Sequence, residues 1–468
     1  MSNEFSFRHG FEWFTTQLSS VVFYSFPVAG VEIPMVVIWL VSGAMISTFY
    51  LGFINIRGFT HALKVVGGRY KDPKQQGDIT PFQALSTALS GTVGTGNIAG
   101  VAVAITLGGP GATFWMIVAG ILGMSLKFVE CTLAVKYRHQ APDGSFSGGP
   151  MYYIPVALAK FNLPRLGKAL AIFFAIACVF GSTAFVHVNQ GFAQVQGVTG
   201  FDNAWLFGAI YAVLVGVVII GGIKSIATVT SKLVPLMCAI YLAAALIIIG
   251  GHASAVPAAL MTIIHGAFAP EAAYGGFIGV LIQGFRRAAY SNEAGIGSSP
   301  IAHAAAQTRH PVSQGFVALL EPFIDTVLIC TITALVIILT GAYLGTGADL
   351  DGVRLTSSAF ASVFDWFPMV LMIALLLFGF STVISWSYYG LKSWSYLFGE
   401  TRFNQNLFKV LFCAVVTIGA VPNILAVFDL IDSMIFLMAL PNILAIYLFL
   451  PEVKQDLKDY WQKIHHEK

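Results

Sequence analysis

Residues 91–97 read Gly-Thr-Val-Gly-Thr-Gly-Asn and interrupt an apolar run that extends from residue 82 to residue 107. A run of this length can cross a bilayer as a helix, which needs about 20 residues. A break at membrane depth exposes unpaired N–H and C=O groups, and each costs several kcal/mol in hydrocarbon unless a polar partner meets it. We therefore expect residues 91–97 to face a polar ligand inside the protein.

The composition indicates that most of the chain lies in a membrane. Of its 468 residues, 57% are hydrophobic and only 10% are charged, whereas soluble domains have about 25% charged residues. Eleven runs are long enough to span a bilayer, and no connector between them could hold a soluble domain. The predicted spans are residues 31–56, 82–107, 111–137, 167–196, 204–221, 226–250, 273–306, 313–340, 367–395, 404–421 and 425–449. We expect an all-α polytopic membrane protein.

The distribution of Lys and Arg predicts the orientation of these spans. With the N-terminal segment (residues 1–30) outside, the basic connectors near residues 57–81 and 138–166 face the cytoplasm, as does the tail at residues 450–468. Only Arg8 and Arg354 then lie clearly outside. We expect a multi-pass protein of a bacterial-type plasma membrane, with its C-terminus in the cytoplasm.

A second span, residues 273–306, is also interrupted by polar residues. The interruptions are residues 283–287 (Gln-Gly-Phe-Arg-Arg) and residues 291–299. Each broken span is followed by four further spans, as expected for an inverted repeat of five helices plus five. The predicted repeats are residues 82–250 and 273–449, and the span at 31–56 is an extra helix ahead of them.

The two breaks have the chemistry of a site for a zwitterion and a cation. The N-terminus of a half-helix offers free N–H groups to a carboxylate, whereas unwound carbonyls and the oxygens of Thr92, Thr95 and Asn97 suit Na⁺. Close helix packing is the alternative explanation for the glycines, but packing needs no Asn. A third polar cluster contains Ser381 and Thr382, although such hydroxyls can also bond to carbonyls of their own helix.

Three long motifs resemble the alanine/glycine:cation symporter family. They are residues 77–100 (GDITPFQALSTALSGTVGTGNIAG), residues 108–116 (GGPGATFWM) and residues 291–295 (SNEAG). The resemblance covers about residues 31–450. It implies a LeuT-type fold and Na⁺-coupled uptake (symport) of alanine, glycine or a close relative such as serine or glutamine, through alternating access in the cell membrane.

The resemblance also implies two sets of binding residues. The set that binds the substrate comes from both broken helices and a Trp wall, and consists of Gly94, Thr95, Gly96, Asn97, Gln283, Gly284, Phe285 and Trp386. The set that binds Na⁺ comes from the first break and the 367–395 span, and consists of Ser90, Thr92, Val93, Asn97, Phe378, Ser381 and Thr382. Backbone groups at residues 94–96 would hold the carboxylate, and Ser381 and Thr382 would use their hydroxyls.

Ionisable residues inside a membrane are functional candidates by default. Glu321 and Asp325 stand one turn apart, and we expect them to pair with Arg286 or Arg287. The alternative is an H⁺ relay through Glu321 and Asp325, which would make the protein an H⁺-coupled amino-acid symporter. No channel filter, nucleotide loop or catalytic constellation is present, so we expect no enzyme activity, no organic cofactor, no nucleic-acid ligand and no obligate protein partner.

Overall fold

The computed structural model describes residues 2–28, 31–70, 75–141, 144–183, 185–268, 276–344, 352–363, 366–421 and 425–466. In this part of the chain, six helices are long and apolar enough to cross a membrane. One further pair of helices meets the same criterion together, and its two halves are bent by 55° at a short break. Shorter apolar helices add to these spans, so the structure is a polytopic α-helical membrane protein, as predicted.

The N-terminal region differs from the predicted span at residues 31–56. Two strands, β1 (Ser25–Val28) and β2 (Val31–Pro34), form an antiparallel hairpin before the first apolar helix. The helix begins at Met35 because Pro34, whose backbone is extended, closes the strand and precedes the first turn. The helices of this region are α1 (Ser2–Val22), α2 (Met35–Tyr50), α3 (Ile54–Arg57) and α4 (Phe59–Val66).

The first broken span consists of α5 (Pro81–Thr92), a π-helical turn (Gly96–Gly100) and α6 (Val101–Gly108). Helix α5 starts at a capping box in which Thr80 and Gln83 each accept a backbone N–H of the other. The α-helical pattern ends at Thr92 because Val93 is extended, with φ −73° and ψ 102°. The predicted break is therefore confirmed, and its non-helical part is short.

Over its described residues, the middle of the chain forms seven α-helices, a small hairpin and a 3₁₀ turn. These elements are α7 (Ala112–Lys136), β3 (His139–Gln140), β4 (Phe146–Ser147), α8 (Pro150–Ala159), α9 (Pro164–Gly181), α10 (Phe185–Thr199), α11 (Ala204–Ile220), α12 (Gly222–Gly251), a 3₁₀ turn (Ala253–Ala255) and α13 (Val256–Phe268). Helix α13 lies outside every predicted span.

The second half contains the second break and the two longest helices. Its elements are α14 (Gly276–Asn292), α15 (Ser299–His303), α16 (Pro311–Ala318), α17 (Leu320–Pro322), a π-helical segment (Phe323–Cys330), α18 (Thr331–Leu339), a 3₁₀ turn (Ala342–Leu344), α19 (Gly352–Ala361), α20 (Phe367–Phe398), α21 (Arg402–Gly419) and α22 (Leu425–His466). Helix α22 continues well past residue 449, where the last predicted span ends.

The prediction that α14 is interrupted at residues 283–287 is wrong, since the helix is continuous to Asn292. The helix tolerates Gly and Arg at these positions because the glycine faces a neighbouring helix and the arginines face a cavity. Gly284 packs so closely on α7 that an added Cβ would lie 2.5 Å from the Cβ of Trp115, and Arg286 and Arg287 line a wide cavity. The helical pattern breaks only at residues 293–298, between α14 and α15.

The two broken spans lie side by side in the interior. Helix α7 packs against α14 and α16, and α5 packs against α12 and α20. Ser90, Asn97 and Ser291 near the breaks are almost fully buried, at 0%, 0% and 1% exposure. Both breaks therefore open into the protein and away from lipid.

Candidate functional site

The first break presents unpaired backbone donors. The Gly94 amide donates to the Asn97 side-chain oxygen at 2.8 Å, which holds the turn. The amides of Thr95 and Gly96 donate to no other residue in the described part of the chain. Because these N–H groups lie at the start of the π-helical turn and α6, they are candidates to bind a carboxylate.

A cavity of about 50 Å³ lies between the two breaks. Its walls come from α5, α9, α10, α14, α20 and α22. The lining residues are Gly91, Thr92, Thr95, Gly96, Gly181, Val186, His187, Tyr290, Glu293, Ile296, Trp386, Ile431 and Ile435. The cavity therefore brings unpaired amides, one imidazole and one carboxylate together with an apolar wall.

Helix α20 closes one side of this cavity. The Trp386 indole donates to the Gly91 carbonyl at 3.3 Å, and the Ser90 hydroxyl donates to the Ser381 carbonyl at 2.6 Å. The Thr382 hydroxyl lies 3.1 Å from where a Cβ on Gly94 would stand. The structure thus brings the first break and the hydroxyls of α20 together, as the sequence predicted.

The hydroxyls of Ser381 and Thr382 also donate to a carbonyl of their own helix. Their acceptor is Phe378, at 2.9 and 3.0 Å, which is the local arrangement that the sequence left open. Val93 is fully buried and its amide donates to Leu89 at 2.7 Å. The extended backbone at Val93 therefore lies on the same side of the site as the hydroxyl oxygens of Ser381 and Thr382.

A second oxygen-rich cluster surrounds Asn97. The side-chain nitrogen (Nδ2) of Asn97 donates to the Asp325 carboxylate at 2.7 Å, to the Asp325 carbonyl at 3.1 Å and to the Ser291 hydroxyl at 3.2 Å. Ser291 and Thr326 donate to the other Asp325 oxygen at 2.6 and 2.7 Å. The cluster joins the first break, the second broken span and the π-helical segment Phe323–Cys330 through oxygen atoms of the kind that hard cations prefer.

Gln283, Gly284 and Phe285 lie away from both cavities that flank the breaks. Gln283 packs against Gly108, and the ring of Phe285 lies 6.3 Å from that of Trp115. All three belong to the packing of α14 on α6 and α7. The residues with which this span reaches the small cavity are Tyr290, Glu293 and Ile296.

Two further polar residues line the small cavity, His187 and Glu293, and neither is in the predicted set of binding residues. The Nδ1 atom of His187 lies 3.3 Å from the Thr95 hydroxyl. The available signal for His187 was its place in a polar stretch, residues 187–190, of an otherwise apolar span. For Glu293 the signal was a carboxylate within a predicted break.

The predicted pairing of Glu321 and Asp325 with Arg286 or Arg287 is wrong. Glu321 forms an ion pair with Lys127 at 3.2 Å and a hydrogen bond with Nε2 of His303 at 2.5 Å, and Asp325 joins the Asn97 cluster. The arginines lie on the face of α14 that lines the wide cavity, so they do not reach these carboxylates. Helix rotation, which the sequence does not reveal, decides this pairing.

Lys127 is the centre of a fully buried charge cluster. Its ammonium group contacts the Ser299 hydroxyl at 2.5 Å and the Glu130 carboxylate at 3.7 Å, in addition to Glu321. Gln314 bonds to the second ring nitrogen of His303 at 2.5 Å. The cluster links α7 to the first residue of α15 and to α17, directly behind the second break.

A wide cavity of about 580 Å³, called the vestibule here, adjoins the small cavity. Both are lined by Thr95, Gly96, Val186 and Tyr290, so they meet at the first break. Charged groups line the vestibule, namely Arg286, Arg287, Arg354 and Asp432. The vestibule is the open approach to the site.

The ends of the two broken spans away from the vestibule are sealed together. The Asp78 amide donates to the Ala305 carbonyl at 2.8 Å, and the Gln307 amide donates to the Ile79 carbonyl at 2.7 Å. Gly77 permits this approach, because an added Cβ would lie 2.5 Å from the Ala306 backbone. We call this pairing of residues 76–79 with residues 304–307 the seal.

Arg138 holds the seal from the side. Its guanidinium group donates to the carbonyls of Gln76, Ala304 and Ala306 at 2.8 to 3.1 Å. Burial lowers the pKa of this guanidinium group, and the nearby Asp78 carboxylate acts in the opposite direction. The site is therefore open on one side and closed on the other.

Comparisons with known proteins identify the family. The model of the sodium:alanine symporter family matches residues 19–468. The chain is similar to the sodium/alanine symporter AgcS of Methanococcus maripaludis, with 39% identity over 91% of this chain and 94% of the relative. It is also similar to the probable sodium/glutamine symporter GlnT of Bacillus subtilis, with 36% identity over 91% of this chain and 87% of the relative.

A solved structure supports the fold. The crystal structure of MhsT in complex with L-phenylalanine matches with a TM-score of 0.52 and 16% identity, over 81% of this chain and 90% of that chain. The predicted LeuT-type fold is therefore confirmed. The chain belongs to the sodium:alanine symporter family, and it is a sodium-coupled amino-acid transporter of the LeuT fold and not an enzyme.

Proposed function

We propose that this transporter carries a small neutral amino acid such as alanine or glycine, together with Na⁺, in the small cavity between the two breaks. The observation that carries the proposal is one cavity lined by unpaired amides and a small apolar wall, with the oxygen groups around Asp325 and Thr382 adjoining the same break. The amides of Thr95 and Gly96 bind the carboxylate. Trp386, Ile431 and Ile435 limit the size of the side chain.

The cavity, more than the relatives, supports a small substrate. Two relatives carry the names of different substrates, alanine and glutamine. A volume of about 50 Å³ next to a Trp and two Ile side chains favours the smaller one. Serine, glycine and alanine are therefore the first candidates to test, and glutamine is the comparison.

Two groups of oxygens are candidates for Na⁺ sites. The first is the cluster of Asn97, Ser291 and Asp325, where a carboxylate supplies a full negative charge. The second combines backbone of Ser90, Val93 and Phe378 with the hydroxyls of Ser381 and Thr382. Na⁺ at either site joins elements from different parts of the fold, so its binding favours the arrangement in which those elements are together.

The open vestibule and the closed seal correspond to one of the two states of an alternating-access cycle. We place the N-terminal segment outside the cell, because the basic connectors then face the cytoplasm. Phe23 and Arg354 line the vestibule, so this orientation makes the structure open to the outside. The substrate and Na⁺ enter through the vestibule, and the seal opens to release them into the cytoplasm of a bacterial-type cell.

Uptake of radiolabelled alanine, glycine, serine and glutamine into proteoliposomes tests the proposal. An inward Na⁺ gradient is expected to drive accumulation of the small amino acids, and a K⁺ gradient of the same size is not. Uptake that persists without Na⁺, follows an imposed H⁺ gradient and is lost in the Asp325→Asn or Glu321→Gln variant would instead support the H⁺-coupled alternative. Equal uptake of glutamine and alanine would contradict the assigned pocket size.

A further inference from the structure

Glu293 places a carboxylate at the wall of the small cavity, at the point where α14 ends. We propose that this carboxylate binds the ammonium group of the transported amino acid and selects amino acids over carboxylates that lack an amine. The inference rests on the proposed function, because it assigns the second end of the same zwitterionic substrate.

The backbone holds Glu293 in an uncommon conformation. Its φ is +54°, in the left-handed region that side chains other than Gly, Asn and Asp rarely adopt. Its amide still donates to the Ala289 carbonyl at 3.2 Å, which ends α14. Strained positions of this kind occur at binding sites, where the surrounding structure enforces them. Here the residue in this conformation directly follows α14 and lines the cavity.

Glu293 has a hydrogen-bond donor but no cationic partner. Ser298 donates to its Oε2 atom at 2.5 Å. Within the described ranges, no ion pair includes Glu293. Lys127 is committed to Glu130, Glu321 and Ser299. A carboxylate that is only 7% exposed needs a compensating positive charge, and the cavity is the space from which a ligand can supply it.

The walls of the cavity discriminate between the cations that could bind there. A hard metal cation takes a shell of several oxygen atoms, and such a shell is available around Asp325. The residues that share the cavity with Glu293 include Ile296, Ile431, Ile435 and Trp386, which supply apolar surface. An ammonium group on a small alkyl carbon matches one carboxylate beside an apolar wall.

The other end of the substrate has a separate partner. Thr95 and Gly96 line the same cavity as Glu293, and their amides have no acceptor in the described protein. The cavity therefore offers donors to a carboxylate on the first break and an acceptor to an ammonium group on the second. Both ends of an amino acid are recognised, and one end of a hydroxy acid is not.

The experiment compares alanine with lactate, in which a hydroxyl replaces the ammonium group on the same carbon skeleton. Both are assayed in proteoliposomes with an imposed Na⁺ gradient, for wild type and for the Glu293→Gln and Glu293→Asp variants. In Glu293→Gln we expect the KM for alanine to rise at least 10-fold and the preference for alanine over lactate to fall at least 10-fold. Glu293→Asp keeps the charge and is expected to retain most of the preference.

Glu452→Gln is the control, because Glu452 is a carboxylate that pairs with Lys136 and Lys160, belongs to neither break and does not line the cavity. Among molecules that insert, its preference for alanine over lactate is expected to equal that of wild type. An unchanged preference in Glu293→Gln, or an effect confined to the KM for Na⁺, would overturn the inference. Failure of wild type to transport any amino acid with Na⁺ would instead overturn the proposed function.

A measurement on the wild-type protein covers the case in which the variants do not fold. A hydrophobic carbodiimide modifies buried carboxyl groups, and mass spectrometry reports the modified fraction at Glu293 and Glu130. In the presence of Na⁺, alanine is expected to protect Glu293 at least 5-fold more than lactate does, and to leave Glu130 unchanged. Equal protection by alanine and lactate, or no protection of Glu293, would contradict the inference.

Discussion

The two chain breaks face one cavity but are built from opposite chemistry. The first, at residues 93–95, is uncharged, and it exposes the amides of Thr95 and Gly96. The second, at residues 293–298, begins with the carboxylate of Glu293 and contains two glycines of positive φ, Gly295 and Gly297. A pair of breaks can therefore bind a zwitterion with one donor end and one acceptor end.

The breaks also differ in how they are supported. The hydrogen bonds of Gly94 to Asn97 and of Trp386 to Gly91 hold the first break without charge, and one bond from Asn97 to the Asp325 carboxylate adds to them. A buried charge cluster around Lys127 holds the second through Ser299. Hydrogen bonds and ion pairs between buried charged groups are stronger than neutral hydrogen bonds, but the loss of one partner leaves an uncompensated charge and costs more free energy. The second break should therefore be the more sensitive of the two to single substitutions.

The largest expected effect is that of Lys127→Met. Removal of this ammonium group leaves Glu130 and Glu321 in the interior without their main partner, which costs about 3–5 kcal/mol. We expect a clear fall in the unfolding temperature of the purified protein in detergent, together with loss of uptake.

Lys136→Met is the control for that substitution, because Lys136 pairs with Glu452 and Asp456 while it remains 26% exposed. Exposed pairs contribute about 1 kcal/mol or less. If Lys127→Met unfolds at the same temperature as Lys136→Met, the second break does not depend on the charge cluster.

Asp325→Asn comes next, because Asp325 is the carboxylate that joins Asn97 of the first break to Ser291 of the second span. The substitution keeps the shape and removes the charge. Loss of a charged ligand is worth about 1.5–3 kcal/mol, so the Na⁺ concentration for half-maximal uptake should rise about 10- to 100-fold.

Thr326→Val sharpens the interpretation of that result. It removes only a neutral donor to the same carboxylate and should change the Na⁺ requirement several-fold less than Asp325→Asn does. Equal effects of the two substitutions would indicate that the cluster is structural and not a cation site.

Arg138→Gln tests whether the two broken spans separate at the seal. It removes bonds to Gln76 on one span and to Ala304 and Ala306 on the other, which should shift the balance toward opening by about 1–2 kcal/mol. We expect a cysteine introduced by Gln307→Cys to react about 5- to 30-fold faster with an impermeant maleimide applied from the sealed side.

Lys160→Gln is the comparison for Arg138→Gln, since Lys160 pairs with Glu452 and does not join the two broken spans. In a protein that combines Lys160→Gln with Gln307→Cys, the cysteine should react with the maleimide at the same rate as in Gln307→Cys alone. If both substitutions raise reactivity equally, the effect comes from lost charge at this end and not from the seal.

Thr382→Val should have the smallest effect, because it touches only the first break and removes one neutral hydroxyl. A contribution of about 1 kcal/mol corresponds to an approximately 5-fold higher Na⁺ requirement for uptake. Thr340→Val removes a similar bond within its own helix and should leave the requirement unchanged. A wild-type requirement in Thr382→Val would remove this hydroxyl from the proposed Na⁺ site.

The first break and the second were predictable to different degrees. Gly and polar residues are so dense at residues 91–97 that no continuous apolar helix fits them. The interruption assigned to residues 283–287 is absent because Gly284 packs on α7 and Arg287 lines the vestibule. Local composition does not distinguish a helix that ends from one whose polar face lines a cavity.

The partners of the buried charges were less predictable than the breaks. Asp325 was expected to pair with an arginine on the preceding span and instead binds Asn97, 228 residues away in the sequence. The Nδ1 atom of His187 lies 3.3 Å from the Thr95 hydroxyl, 92 residues away in the sequence. Each of these contacts depends on the rotation and crossing of helices that are distant in sequence.

The sequence by itself determined that this protein spans a membrane and that its chain breaks near residue 94, and it predicts that a polar ligand meets the break. These conclusions depend on local properties, namely hydropathy and the need of every buried N–H group for a partner. The tertiary structure decided which side chains complete the site, because Glu293, His187 and Asp325 reach the first break only through the packing of separate helices.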